Sequence, residues 1–159
     1  MTGLPAAVVV ASNRASAGVY DDTTGPVIVE ALRAEGWEVD EPVVVPDGDA
    51  VGEAISRAVR DGARVVLTTG GTGLTPSDLT PEVTRVLLDR EVPGIAEAVR
   101  AHGVAKGVAT AALSRGVAGT VGQALVVNLP GSRGGVKDGL AVVVPLLRHA
   151  VEQIVGSDH

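Results

Sequence analysis

The stretch from Val65 to Glu82 constrains the fold more than any other part of the chain. An apolar run, Val65-Val66-Leu67, reads as a buried strand. It gives way to Thr68-Thr69-Gly70-Gly71-Thr72-Gly73, small residues that let a backbone approach a ligand closely. Leu74-Thr75-Pro76-Ser77-Asp78 then presents one carboxylate, and Leu79-Thr80-Pro81-Glu82 opens a helix. Thr80 fits the N-cap, Pro81 the first helical position and Glu82 the end of the helix dipole that favours an acid. A strand, a glycine-rich turn and a helix N-terminus in succession is how α/β proteins build phosphate sites, because free N–H groups and the dipole both favour an anion. The plainer reading is a tight turn that only needs positive φ.

Length and composition narrow the setting. The 159 residues suit a single domain spanning residues 1–159, large enough to bury a core. Hydrophobic residues make up 45% and charged residues 20%, which excludes a disordered chain. That core is aliphatic, since Trp37 and Tyr20 are the only aromatics. A net charge of −6 and the lack of stacking platforms argue against nucleic-acid binding. With no cysteine, disulfides, thiolate metal sites and cysteine catalysis are excluded, and a reducing cytoplasm is the expected location. No apolar run approaches membrane-spanning length, and Ala6 to Ala11 is too short for a signal-peptide core.

Strands and helices alternate along the sequence. Ala6 to Ala11 is a strand, Ser12 to Thr24 a polar loop, and Pro26 starts a helix that Gly36 stops. Val39 to Val45 reads as one strand, followed by a helix from about Asp49 to Gly62 and a strand from Arg64 to Leu67. The helix after the glycine-rich loop carries Val83, Val86 and Leu87, and another covers Ile95 to His102. Val117 to Thr120 and Ala124 to Leu129 read as two strands joined by a tight turn, the second apolar enough to lie inside a sheet. A final helix carries Val136, Leu140, Val143, Leu147, Val151 and Ile154 on one stripe. The expected architecture is α/β and three-layered: a mostly parallel, partly mixed sheet with helices on both faces.

Ligands of open α/β sheets bind at the carboxyl ends of strands. Three loops qualify: Pro46-Asp47-Gly48, Gly70 to Asp78, and Pro130-Gly131-Ser132. Acids beside a phosphate loop repel the anion unless a cation intervenes, so Asp47 and Asp78 suggest Mg²⁺ bridging carboxylate and phosphate. Asp47 or Asp49 could equally cap the next helix, and Asp78 a turn. Tyr20-Asp21-Asp22 reads as a solvated loop, and His102, His149 and His159 show no ligand spacing. Neither GxxxxGK[ST] nor a GxGxxG after the first strand is present. Arg115, next to Ser114, and Arg14 are the candidates for cationic help, with a surface position the default for Arg14.

Several motifs together resemble a known family. Thr68 to Gly73, Asp78, Thr80-Pro81-Glu82, Leu113-Ser114-Arg115 and Asn128 to Ser132 are similar in order and spacing to the MogA/MoaB family of molybdenum-cofactor biosynthesis. They are equally similar to the homologous domains of gephyrin and its plant counterpart. Arg14 to Tyr20, Val45-Pro46-Asp47 and Arg90 to Gly94 extend the match, which runs from about residue 6 to 155. The resemblance implies a molybdopterin-binding fold, usually trimeric, and molybdopterin adenylyltransferase activity with ATP and molybdopterin as substrates and Mg²⁺ required. It places the essential, metal-holding acids on Asp47 and Asp78. The substrate-binding residues fall on Thr69, Gly70, Gly71, Thr72, Gly73, Ser77, Ser114, Pro130, Gly131 and Ser132. A MoeA-type molybdenum-insertion protein is the implied partner.

Two departures bear on that transfer. Asn13 stands where some relatives have an acid, as in MoaB-like members, and the final helix lacks the extension of some MogA-like members. A non-catalytic MoaB-like molybdopterin-binding or scaffold paralogue is therefore the alternative. Homo-oligomerisation is expected from a mean hydropathy of +0.31, and the threefold count from the resemblance alone.

Overall fold

The computed structural model describes residues 3–156, so His159 lies outside the described residues. In chain order it comprises β1 (Pro5–Ala11), α1 (Asn13–Ser16), α2 (Gly25–Ala34), β2 (Glu38–Val39), β3 (Val43–Val45), α3 (Asp49–Arg60), β4 (Val65–Thr69) and α4 (Thr80–Arg85). β5 (Arg90–Glu91), α5 (Pro93–Ala105), a 3₁₀ turn (Ala109–Leu113), β6 (Ala118–Val121), β7 (Ala124–Leu129) and α6 (Arg133–Val143) follow. A second 3₁₀ turn (Val144–Leu146) leads into α7 (Leu147–Ile154).

The strands form one seven-stranded sheet ordered β2-β1-β4-β7-β6-β5, with β3 also paired to β1. β1, β2, β3, β4 and β7 run parallel. β6 turns back antiparallel on β7 and β5 on β6, which makes the sheet mixed as expected. Every residue of β4 and β7 is buried, as strands covered on both faces must be. One aliphatic layer joins Ile28 and Leu32 of α2, Val99 of α5, Val136 and Leu140 of α6 and Leu147 and Val151 of α7 to one face of the sheet. The other face is covered by Val51 and Ile55 of α3 together with Val83 and Leu87.

Four parallel strands end together, and that places the site. Ala11 pairs with Val45, Val10 with Thr69, and Thr69 with Leu129, so the loops after β1, β3, β4 and β7 leave the same edge of the sheet. Asn128, 3% exposed, locks two of these strands together. Its amide donates to Thr68 Oγ1 on β4 (2.9 Å) and Thr84 Oγ1 on α4 (3.1 Å), and its Oδ1 accepts from the Val117 N–H (3.1 Å).

The structure departs from the sequence expectation at several places, among them α4, which ends at Arg85 short of the expected Val86 and Leu87. The strand expected over residues 39–45 is two short pieces, because Pro42 has no N–H to donate to the ladder. The loop after β1 contains α1, whose N-cap Ser12 accepts from Ala15 N–H at 3.1 Å. Asp22 is not merely solvated: its Oδ1 accepts from the N–H groups of Thr24 (3.1 Å) and Gly25 (3.0 Å) and so anchors the start of α2. The final helix is broken by the turn holding Pro145, although its apolar stripe stays in phase across the break.

Candidate functional site

The glycine-rich loop is held open by its own surroundings. Gly70 has φ +91°, and a Cβ there would strike the Ala11 carbonyl oxygen at the end of β1. On its other side, the Cβ that Gly131 lacks would lie 3.2 Å from Gly70 Cα. Thr69 Oγ1, on a residue 1% exposed, donates to the Pro130 carbonyl at 2.7 Å. The Thr69 hydroxyl therefore ties two loops together, which leaves its surroundings, not that oxygen, to meet a ligand.

Among the described residues, the N–H groups of Gly71, Thr72 and Gly73 have no protein acceptor. Three successive unpaired amides form an anion-accepting concavity. The N-terminus of α4 does not add to it. Thr80 is the first residue of α4 rather than its N-cap, and its N–H donates to the Gly71 carbonyl at 3.1 Å. The loop itself caps this short helix, which displaces the expected cap by one residue. The helix end that does reach the site belongs to α6, whose N-cap Ser132 accepts from Gly135 N–H at 3.0 Å.

Two clefts meet at this loop. The first, about 460 Å³, runs from Gly71, Thr72 and Gly73 past Ser114, Pro130, Gly131 and Ser132 toward α5 and α6. The second, about 380 Å³, lies over the ends of β1 and β4, against Asn13, Arg14, Tyr20, Asp47, Thr69 and Gly70. Gly71, Asp78 and Gly131 belong to both walls. The acids expected at this edge are thus brought together where the clefts join. Ser77 is the exception: it is exposed, lines neither cleft, and sits 3.3 Å from Thr75 Oγ1.

The acids differ in environment. Asp78 Oδ2 accepts from the Thr75 N–H (2.9 Å) and hydroxyl (2.8 Å), which fixes its rotamer. Asp47 is positioned by its backbone, whose N–H donates to Asn13 Oδ1 at 2.9 Å. Its Oδ1 is buried with no hydrogen-bond partner, and so is Thr80 Oγ1; a Cβ on Gly71 would meet both oxygens. Burial, and next the negative charge of Asp78, push the Asp47 carboxyl above its ordinary value of 3.8, against a smaller opposing hydrogen bond from the Asn13 backbone. Among the described residues, no three His, Cys, Asp or Glu side chains are grouped to hold a metal. An orphaned carboxylate oxygen facing a like charge fits a cation that draws its remaining ligands from water and phosphate, as Mg²⁺ does.

Arg115 is the functional neighbour that spacing alone misassigns. Its Nε donates to the Gly73 carbonyl (2.8 Å), its Nη2 to the Asp78 carbonyl (2.7 Å) and its Nη1 to Glu82 Oε2 (2.7 Å). Its backbone N–H donates to the Thr72 carbonyl at 2.9 Å. The guanidinium is consumed in clamping the loop and holds Glu82 below the usual carboxylate range. Arg14, by contrast, is exposed and lines the second cleft.

The probable molybdopterin binding domain family matches residues 7–149. The chain belongs to the MogA/MoaB family of molybdenum-cofactor biosynthesis proteins. It is 38% identical over 160 residues to the molybdenum cofactor biosynthesis bifunctional protein of Synechococcus elongatus, covering all of this chain and 50% of that protein. The chain thus spans about half the length of that relative. It is 37% identical to the molybdopterin adenylyltransferase of Pyrococcus furiosus, over 91% of this chain and 90% of that one. The structure of the molybdopterin biosynthesis Mog protein of Mycobacterium ulcerans superposes with a TM-score of 0.91 at 48% identity, covering 96% and 99% of the two chains.

Two substitutions separate backbone strain from side-chain crowding at the loop. Gly71→Ala, at φ +69° and against Asp47 and Thr80, should cost about 1–3 kcal/mol of stability. Gly73→Ala has no such backbone penalty and meets only the far end of one side chain, Asp78 Oδ2 at 2.8 Å, so it should lower the unfolding midpoint by less than Gly71→Ala does. Equal midpoints for the two variants would refute this division.

Asp47 gives a pH signature. Its raised value means the folded state holds the proton more tightly than the unfolded state does, so stability falls as pH rises past 3.8 through the folded value. Asp47→Asn removes that loss: its advantage over the parent in metal-free melting curves should grow from acidic pH to neutrality. A difference constant with pH would contradict it.

Proposed function

We propose that this chain is a molybdopterin adenylyltransferase that transfers AMP from Mg-ATP to the terminal phosphate of molybdopterin. The observation that carries the reading is the meeting of two clefts at one wall, where Asp47 and Asp78 converge on the unpaired amides of Gly71 to Gly73. The Pyrococcus furiosus relative named molybdopterin adenylyltransferase supports it, since this chain matches 90% of that protein.

In the proposed reaction an oxygen of the molybdopterin phosphate bonds to the α-phosphorus of ATP. The bond from that phosphorus to the β-bridging oxygen breaks, and pyrophosphate leaves. The nucleophile is already anionic, so no histidine or serine base is required, and among the described residues no histidine lines either cleft. The residues' task is to hold two polyanions together. The loop amides and the α6 N-terminus receive phosphate oxygens, while Ser114 and Ser132 line the first cleft. Asp47 and Asp78 would hold Mg²⁺, which when bound neutralises charge on the phosphates. Arg115 holds the loop in its observed shape, and Arg14 offers its charge at the second cleft.

Purified protein given molybdopterin, ATP and Mg²⁺ should yield adenylylated pterin and pyrophosphate. Asp47→Asn and Asp78→Asn should stay folded and lose activity by several kcal/mol of transition-state stabilisation, the order expected for metal-assisted transfer. Tight pterin binding without product would instead assign the chain to the non-catalytic, MoaB-like class, and full activity in both variants would remove the acids from the mechanism.

We further propose a homo-oligomer, a trimer by family resemblance, acting in the cytoplasm with a MoeA-type insertion protein as recipient of the product. Exposed aliphatic side chains such as Val86, Val104 and Val108 are consistent with a subunit interface. Light scattering should give a multiple of the 15.9 kDa chain mass; a monomer would overturn the assembly and leave the chemistry standing.

A further inference from the structure

The first cleft has two chemically distinct ends. At the glycine-rich loop it offers unpaired amides and Ser132. Farther in, its walls are aliphatic: Val99, Val108, Ala111, Leu113 and Pro130. A flat ring is accepted by such walls, but they cannot tell one heterocycle from another. Three polar side chains interrupt this apolar end, those of Arg100, Thr110 and Asp138, and Asp138 brings its one carboxylate.

Asp138 is half-buried, and among the described residues it has neither a hydrogen bond nor an ion pair. It is too far along α6 to cap that helix, whose N-cap is Ser132. Arg100 also lines the cleft, but its Nη1 is engaged by the carbonyls of Ser114 (3.2 Å) and Gly116 (3.0 Å). Neither Arg100 nor Thr110, the other polar side chains of that end, donates to Asp138, which is an unpartnered acceptor in a largely apolar cleft. Such a group is costly to desolvate unless the ligand brings donors to it.

The separation of the two ends fits a phosphate-bearing bicyclic ring. From Ser132 to Asp138 the helix rises about 9 Å at 1.5 Å per residue, so a phosphate at the loop would leave its ring beside Asp138. A pterin carries adjacent N–H donors on one edge, at N3 and the exocyclic 2-amino group, and a carboxylate can receive both at once.

We propose that Asp138 is the residue that selects the pterin ring, accepting hydrogen bonds from N3 and the 2-amino group of the ligand. The proposal rests on the reading that the first cleft takes molybdopterin. It is independent of whether AMP is transferred.

The test is equilibrium binding of molybdopterin to the full chain without ATP or Mg²⁺, read by the pterin's own fluorescence, with pterin and lumazine as competitors. Lumazine has a carbonyl where pterin has the 2-amino group, so it sets an acceptor against the carboxylate. The parent protein should prefer pterin over lumazine by about ten- to hundredfold, the range for a hydrogen bond to a charged group left unmade. Asp138→Ala should weaken molybdopterin binding by a similar factor and abolish the preference, and Asp138→Glu should restore part of it. Unchanged affinity and preference in Asp138→Ala would overturn the proposal, as would a loss of affinity with the preference intact. Binding selectivity with no adenylyl transfer in the complete assay would remove the enzymatic reading and leave this one standing.

Discussion

The site depends on how closely three chain segments approach one another at Gly70. The Ala11 carbonyl presses on one side of it and Gly131 on the other, with no room for a Cβ between. That contact brings the ends of β1, β4 and β7 within a glycine's width, and everything the loop offers follows from it. A side chain at residue 70 would separate the strand ends and move Gly71 away from Asp47 and Thr80. Close packing of small residues, rather than any strong bond, is what places two acids and three free amides on one wall.

The Asn128 network gives the same region its rigidity from below. One buried side chain joins the end of β4, the start of the β6–β7 hairpin and α4, through its amide nitrogen and its oxygen. A fully satisfied buried polar group of this kind specifies one arrangement of the elements around it. Above it, Arg115 performs the matching task for the loop, spanning residues 73, 78 and 82 with a single planar fork.

Much of this was legible in the sequence because its signals are local. The continuous apolar strands, the Gly122 turn between β6 and β7 and the glycine-rich loop each announce themselves within a few residues, and strand-end logic then brings Asp47 and Asp78 to one edge. What stayed hidden depends on partners distant in sequence. Nothing near Arg115 reveals that its charge is spent on carbonyls some 40 residues earlier, at Gly73 and Asp78. Asp22 looks solvated until α2 supplies two N–H groups to it. Thr80 matches an N-cap by type, yet the loop folds back and takes its N–H. Pro145 breaks the last helix without disturbing the apolar stripe, so periodicity could not reveal the break.

The wall shared by the two clefts has an energetic consequence. Gly71, Asp78 and Gly131 line both spaces, so charge brought into one is felt in the other. Two anions bound on either side raise each other's binding free energy, and a cation at the acids lowers it for both. Thermodynamic linkage requires these influences to be mutual: whatever one occupant does to the affinity of its neighbour, the neighbour does in equal measure to it. Were both clefts filled, a shared wall would make the order of filling a matter of kinetics, since both routes must arrive at the same doubly occupied state with the same total free energy.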